Sequence, residues 1–394
     1  MKPLDGIKVL DLTRVLAGPF CTMILGDMGA EVVKIEQPGK GDDTRSFGPP
    51  FDRGESAYFL SVNRNKKSVT LDLKSEEGRE AIRRLVARSD VLVENFRPGT
   101  LGKLGLDHPS TARINPRLVY ASISGFGQTG PWAEKPGYDL AIQGIGGVMS
   151  LTGDPAGPPF KVGVSQADIV AGLYAVQGIL LALLARERTG RGQHVDVAML
   201  DGQISLLAYQ AGIFFMTGKP PSRIGNRHPT ISPYETFKAS DRYINIAIGN
   251  DRLWKKFCEI LGLGEICTHQ EYSTNPKRVE NRDALFPVIQ EVILERDSAH
   301  WLDLFEKNGI PAGPIMSVKE ALENPQAAAR GMVLTMPHPV LGTIRQTGIP
   351  ARLSETPGAA EAPPPALGEH TEEVLASLGF SAAEMSAMRS RGAI

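Results

Sequence analysis

The sequence predicts an α/β protein, with a large doubly wound parallel sheet and a smaller α+β unit. Three observations predict it. Short runs rich in β-branched residues alternate with helix-like stretches through roughly the first half of the chain. A stretch rich in Gly, Pro and Arg, 217–233, interrupts that rhythm. After it, the pattern changes to a hairpin followed mainly by helices. Strands joined by helices imply right-handed crossovers, which place helices on both faces of a parallel sheet.

The elements follow in order. Ile7–Leu12 (IKVLDL) reads as a buried strand, and Phe20–Met28 as a helix ending near Gly29. Glu31–Ile35 and Ser68–Leu73 are the next strands, and Ser75 is placed to cap a helix running to about Arg88. Val91–Glu94 and Leu118–Ser122 follow. Helix is expected over Asp139–Gly147 and Asp168–Thr189, strand over His194–Ala198, and one helix over Leu200–Met216. Tyr234–Ile248 alternates as a hairpin, with helices to about Leu322. Strands return within Pro325–Ser354, and 359–368 (AAEAPPPALG) reads as a linker to two short helices. The expected domains are therefore 1–220, 221–324 and a C-terminal segment 325–394.

Composition narrows the function. The net charge is −1 over 394 residues. No basic field exists to hold nucleic acid or an anionic membrane, so neither is an expected partner. The apolar run Ile169–Leu184, broken by Gly172 and Gly178, reads as a core helix. Three cysteines, Cys21, Cys258 and Cys267, make no disulfide framework and suit a reducing compartment. The opening MKPLDGIKVLDLT lacks an apolar leader, so the cytoplasm is expected. No Cys or His grouping has metal-ligand spacing, and no metal is expected.

Familiar catalytic motifs are missing. The first strand–helix turn, TRVLAGPF (13–20), holds a single glycine, Gly18, where a dinucleotide-binding turn needs G-x-G-x-x-G. There is no P-loop, no G-x-S-x-G elbow and no H-E-x-x-H.

Seven segments, in order, carry a resemblance. They are VLDLTRVLAGPFCTMILGDMGAEVVKIE (9–36), GDDTR (41–45), VENFRPG (93–99), GFGQTGP (125–131), GYDLAIQG (137–144), VGVSQADIVAG (162–172) and TGRGQHVDVAM (189–199). Together they resemble the class III CoA-transferases, the family of formyl-CoA transferase and carnitine CoA-transferase, which also includes α-methylacyl-CoA racemases. The resemblance implies a large Rossmann-like domain, a small domain, a C-terminal segment returning to the large one, and an interlocked homodimer. It implies acyl-CoA and a carboxylic acid as substrates, with no tightly bound cofactor. The stretch 46–73 looks closest to succinyl-CoA-dependent enzymes that handle dicarboxylates, such as succinate–hydroxymethylglutarate CoA-transferase.

The resemblance also implies roles. Asp168 matches the family's nucleophilic aspartate, a carboxylate that can be acylated and then carry CoA. Taken alone, an aspartate there reads first as the cap of the following helix. Tyr138 stands where the racemases carry a histidine. A phenol, with an ordinary pKa of about 10, is a poor base, so this departure favours transfer over α-proton exchange. Its expected role is hydrogen-bond donation near the substrate carboxylate. Gly144, Gly146 and Gly147 read either as a close approach to substrate or as helix-packing glycines. CoA is expected on Arg14, Val15, Ala17, Leu71, Lys74, Asn95, Phe96, Arg97, Lys103 and Lys135, most of them near strand carboxyl ends. Formyl-CoA transferase carries a glutamine at the position of Ala17, and alanine leaves room for a larger acyl group. A second substrate carboxylate needs a cation, with Arg45, Arg64 and Arg227 as candidates. Gly249 and Asn250 match a loop that covers the site in relatives, although Asn250 also suits a plain helix cap. The competing readings are a racemase-like isomerase and a non-catalytic acyl-CoA binder.

Overall fold

The computed structural model describes the whole chain, Met1–Ile394. Six strands build one parallel sheet. They are β1 (Lys8–Asp11), β2 (Glu31–Glu36), β3 (Lys66–Thr70), β4 (Val91–Glu94), β5 (Val119–Ser124) and β6 (His194–Ala198). They lie in the order β3-β2-β1-β4-β5-β6. The chain winds outward from β1, returns to the centre, and winds the other way from β4. That reversal leaves a crevice at the carboxyl ends of β1 and β4, where open α/β sheets bind ligands.

Both faces of the sheet are covered, as is usual for parallel sheets. Successive side chains point to opposite faces. Val9 and Val93 enter one core, beneath helices α1 (Ala17–Asp27) and α6 (Gln166–Thr189), with Cys21, Ala171, Ala175 and Ile179. Leu10 and Leu92 enter the other, with Leu71, Ile82, Val374 and Leu375. Ser75 caps the helix Glu76–Arg88, its Oγ accepting the Gly78 N–H at 2.9 Å.

The chain forms two compact units, 1–149 with 161–218 and 325–394, and 150–160 with 219–324. Residues 150–160, expected within the first domain, group with the second unit. That unit has its own core around Phe237, Ile244, Trp254, Phe257, Leu285 and Phe305. Its hairpin, Tyr234–Lys238 with Tyr243–Ala247, gains a third strand, Ala312–Pro314. The sequence hid that strand because it is three residues long and ends in proline.

Other differences have local causes. The helix expected over Leu200–Met216 is two, Met199–Leu206 and Ala208–Thr217, broken where Ala208 takes a φ of 38°. Helix α6 starts at Gln166, before Asp168, and is longer than the apolar run suggested. By length and composition it could cross a membrane. One of its faces is nevertheless packed in the core, and Arg186 near its end is buried and paired with Asp90 at 3.0 Å. The stretch read as a linker is tied to β3 and its neighbours, with Asn65 bonded to Ala359, Glu361 and Ala362, and Gly368 to Ser68.

Arg64 is 1% exposed. Its guanidinium makes a two-pronged contact with buried Asp27, at 2.8 and 2.7 Å, and also reaches Gln346 and the Thr347 carbonyl. Removing one partner strands the other's charge. Arg64→Ala should therefore lower unfolding stability by about 3–5 kcal/mol, read in urea titrations.

Candidate active site

A cavity of about 190 Å³ opens in the larger unit at the crevice where the strand order reverses. Besides Asp43, Ile123–Gly125 and Met199, three chain segments supply its walls. The turn after β1 brings Arg14, Val15 and Ala17; the turn after β4 brings Asn95, Phe96 and Arg97; and Lys135–Tyr138 come from before helix α5 (Asp139–Ile145). Asp168 closes it from the first turn of α6. The two strand turns are tied together: Asn95 Oδ1 accepts the Arg14 N–H at 2.9 Å, and Asn95 Nδ2 donates to the Arg14 carbonyl at 2.7 Å.

Asp168 is not the helix cap. Ser165 occupies that position, and the Asp168 side chain has no hydrogen-bond partner in the protein. A half-buried carboxylate with no partner is unusual. Burial, reinforced by the Asp139 carboxylate, pushes its pKa up to about 7.

Asp139 is the neighbour that sequence reading missed. Its Oδ1 accepts the Ala167 N–H at 2.8 Å and its Oδ2 accepts from Gln143 Nε2 at 2.8 Å. Gln143, fully buried, accepts the Val162 N–H at 2.9 Å. Asp139 thus satisfies an orphan donor of α6 from outside and places a negative charge near Asp168. Its one signal in the sequence is its place next to Tyr138. Asp139→Asn keeps an acceptor but removes the charge. It is expected to move the pH midpoint of kcat/KM below that of the parent protein, measured as a full pH profile.

Tyr138, at the start of α5, is 72% exposed and lines the cavity. Tyr58, also missed, lies on the short helix Ala57–Val62. Burial and then the Asp168 and Asp139 carboxylates push its phenol up to about 12, which places it in their field. Phe47 packs edge-on against it at 5.6 Å.

A second cavity, about 440 Å³, shares Arg14 and Phe96 with the first. The Arg14 guanidinium sits 5.3 Å from the Phe96 ring centre, at the boundary of the two. Most residues expected at the catalytic centre or on CoA meet at these cavities. Asp168, Tyr138 and Lys135 line the first, with Arg14, Val15 and Ala17 from one strand turn and Asn95, Phe96 and Arg97 from the other. Leu71 and Lys74 line the second. Lys103 lies on an exposed turn and lines neither.

The three arginines expected to meet a second carboxylate do not line the Asp168 cavity. Arg45 is engaged by Glu36 at 2.7 Å and lies over the Phe59 ring, Arg64 is buried on Asp27, and Arg227 binds Glu235 and Asp283 in the smaller unit. The cations on that cavity are Arg14, Arg97 and Lys135. Asn250, in the smaller unit, caps the helix Asp251–Leu261 through the Leu253 N–H at 3.0 Å, and Gly249 precedes it. Gly146 is a packing glycine, since a Cβ there would lie 2.5 Å from Gln203 Cβ, and Gly147 has a φ of 85°. Gly144 has ordinary space around it.

Known proteins resemble this chain over most of its length. Residues 4–371 match the model of CoA-transferase family III. A succinate–glutarate CoA-transferase from Agrobacterium fabrum is 44% identical over 95% of this chain and 96% of its own. An acetyl-CoA:oxalate CoA-transferase from Acetobacter aceti is 46% identical over 91% of this chain and 92% of its own. The crystal structure of a CAIB/BAIF family protein from Brucella suis superposes with a TM-score of 0.86 at 46% identity, covering 96% of this chain and 99% of that one. The resemblance read from the seven segments is borne out, and the chain belongs to CoA-transferase family III.

Proposed function

We propose that the protein moves CoA from succinyl-CoA to a second dicarboxylic acid through covalent intermediates on Asp168. The observation that carries this is the half-buried, unpartnered Asp168 carboxylate on a cavity at the crevice of the sheet. Two similar proteins act on succinyl and glutaryl groups by name, from Agrobacterium fabrum and Homo sapiens, the latter 43% identical. Ala17 on the cavity wall leaves room for an acyl chain of that length.

The steps balance without an outside energy source. The Asp168 carboxylate attacks the thioester carbonyl, the C–S bond breaks, and CoA leaves as thiolate. The product is a mixed anhydride. The thiolate attacks the aspartyl carbonyl, releasing succinate and leaving CoA on Asp168 as a thioester. The acceptor carboxylate attacks that thioester, frees the thiolate and forms a second anhydride. The thiolate then takes the new acyl group and restores the Asp168 carboxylate. No step needs a net proton, so the nucleophile must be ionised at the outset. In this reading Tyr138, which lines the cavity, donates a hydrogen bond to substrate oxygen. Arg97, Lys135 and Arg14, the last paired with Asp43 at 3.3 Å, are the cations on the cavity that would meet CoA phosphates or a distal carboxylate, and Leu71 and Lys74 extend the CoA path.

A homodimer belongs to the same proposal. Leu173, Leu180, Leu181 and Leu184 of α6 and Phe214, Phe215 and Met216 of the helix Ala208–Thr217 are all exposed. Exposed large apolar side chains in that number suit burial against a second copy of the chain. Light scattering should give twice the chain mass, and a monomer at micromolar concentration would contradict it. The sparse cysteines keep the cytoplasm as the proposed compartment.

The test is a panel of acids mixed with succinyl-CoA, with acyl-CoA products separated by chromatography. New dicarboxylyl-CoA with equal loss of succinyl-CoA is expected. Exchange of an α-proton with solvent, without transfer, would support the isomerase instead.

A further inference from the structure

Around the turn after β1 lies a group of buried charges that the transfer steps do not use, three of which, Lys34, Glu36 and Asp42, also line the second cavity. Asp11, Lys34, Glu36, Asp42 and Lys66 are each at most 3% exposed. Buried ion pairs contribute little to stability relative to apolar packing, and fixing a particular geometry is one reason they persist. Here the geometry is unusual. Val15, between Arg14 and the start of α1, has a φ of 70°. A β-branched residue in the left-handed region is strained and stays there only if its surroundings hold it.

We infer that Asp42, with its partner Lys34, is a positioning residue that holds the strained turn carrying Arg14, Val15 and Ala17 on the Asp168 cavity. Asp42 Oδ1 accepts the Val15 N–H at 3.2 Å, while Oδ2 pairs with Lys34 Nζ at 2.8 Å. Lys34 Nζ also donates to the Thr13 carbonyl at 2.8 Å. The two residues therefore grip the turn on either side of Arg14, whose own backbone is clamped by Asn95. Asp42 is fixed in turn, its N–H donating to Glu36 Oε2 at 2.8 Å and its Oδ1 accepting from the Thr44 N–H and hydroxyl. The inference rests on the transferase reading of the Asp168 cavity.

The strain supplies the test. Glycine takes a positive φ without support, so Val15→Gly should restore what loss of Asp42 removes. Asp42→Ala should lower kcat/KM with succinyl-CoA by about 100-fold, because a misplacement of about 1 Å can cost that much. Adding Val15→Gly should recover at least about tenfold of that loss. The same addition to the parent protein should not raise kcat/KM. Asp42→Asn, which keeps an acceptor, serves if the alanine variant does not fold, and the same recovery is expected in it. The inference is overturned if Val15→Gly brings no recovery in either background, or if both Asp42 variants match the parent. Melting temperature, measured in parallel, should show the same recovery without reference to activity. An inactive parent protein that still shows this recovery would refute the transferase reading and leave the positioning intact.

Discussion

Asp168→Asn is expected to abolish CoA transfer and to make the protein more stable at pH 8. The amide cannot form the first anhydride, so kcat should fall by at least about 10⁴-fold, as when other covalent nucleophiles are removed. The gain in stability follows from burial. In the folded protein the carboxyl holds its proton up to about pH 7, against an ordinary value of 3.8. The folded state thus binds that proton more tightly than the unfolded chain. Stability from this group is complete below the unfolded pKa and is lost as pH rises through the folded one. Above pH 7 the bare charge is a penalty, and each tenfold difference in proton affinity corresponds to about 1.4 kcal/mol. Asp168→Asn should therefore gain about 2–4 kcal/mol at pH 8 and almost nothing at pH 4. Denaturant titrations at the two pH values read this directly. Equal stability at pH 8 would mean that the carboxylate is solvated or paired. Activity has the opposite sign: kcat/KM should rise with pH and level off above about 7, because only the ionised form attacks.

Gly172→Val should damage the site from a distance. Gly172 lies one turn after Asp168, against the start of α1. A Cβ there would sit 2.7 Å from the Ala17 carbonyl oxygen and 3.2 Å from Phe20 Cδ1. The backbone oxygen cannot swing away as a side chain could, so the two helices must part. Overpacking of this kind costs about 1–3 kcal/mol. The functional effect is larger, since Ala17 and Asp168 face one cavity and move apart together. A fall in kcat of about 100-fold is expected while the protein stays folded by circular dichroism. Full activity in Gly172→Val would show that the spacing of α1 and α6 does not set the site.

The parallel sheet was legible because its strands are short runs rich in β-branched residues, such as Val91–Glu94, set between helix-like stretches. The place of the candidate site was legible for the same reason, since strand order fixes the crevice. Asp168 and Tyr138 were legible only through family resemblance; taken alone, Asp168 looked like a helix cap. Long-range pairing was not legible. Arg45, Arg64 and Arg227 look alike in the sequence, and their carboxylate partners Glu36, Asp27 and Glu235 are identified only by folding. Tyr58 and Asp139 acquire their interest from the field of Asp168, which is likewise a property of the folded chain. The left-handed Val15 had no signal, because the residue type argues against the conformation it adopts.

The most direct test of the central claim is the mass of the Asp168 peptide after the protein is mixed with succinyl-CoA and quenched with hydroxylamine. A hydroxamate on Asp168, absent when succinyl-CoA is left out, is the predicted result. An unmodified Asp168 peptide from protein that is turning over succinyl-CoA would contradict the covalent route.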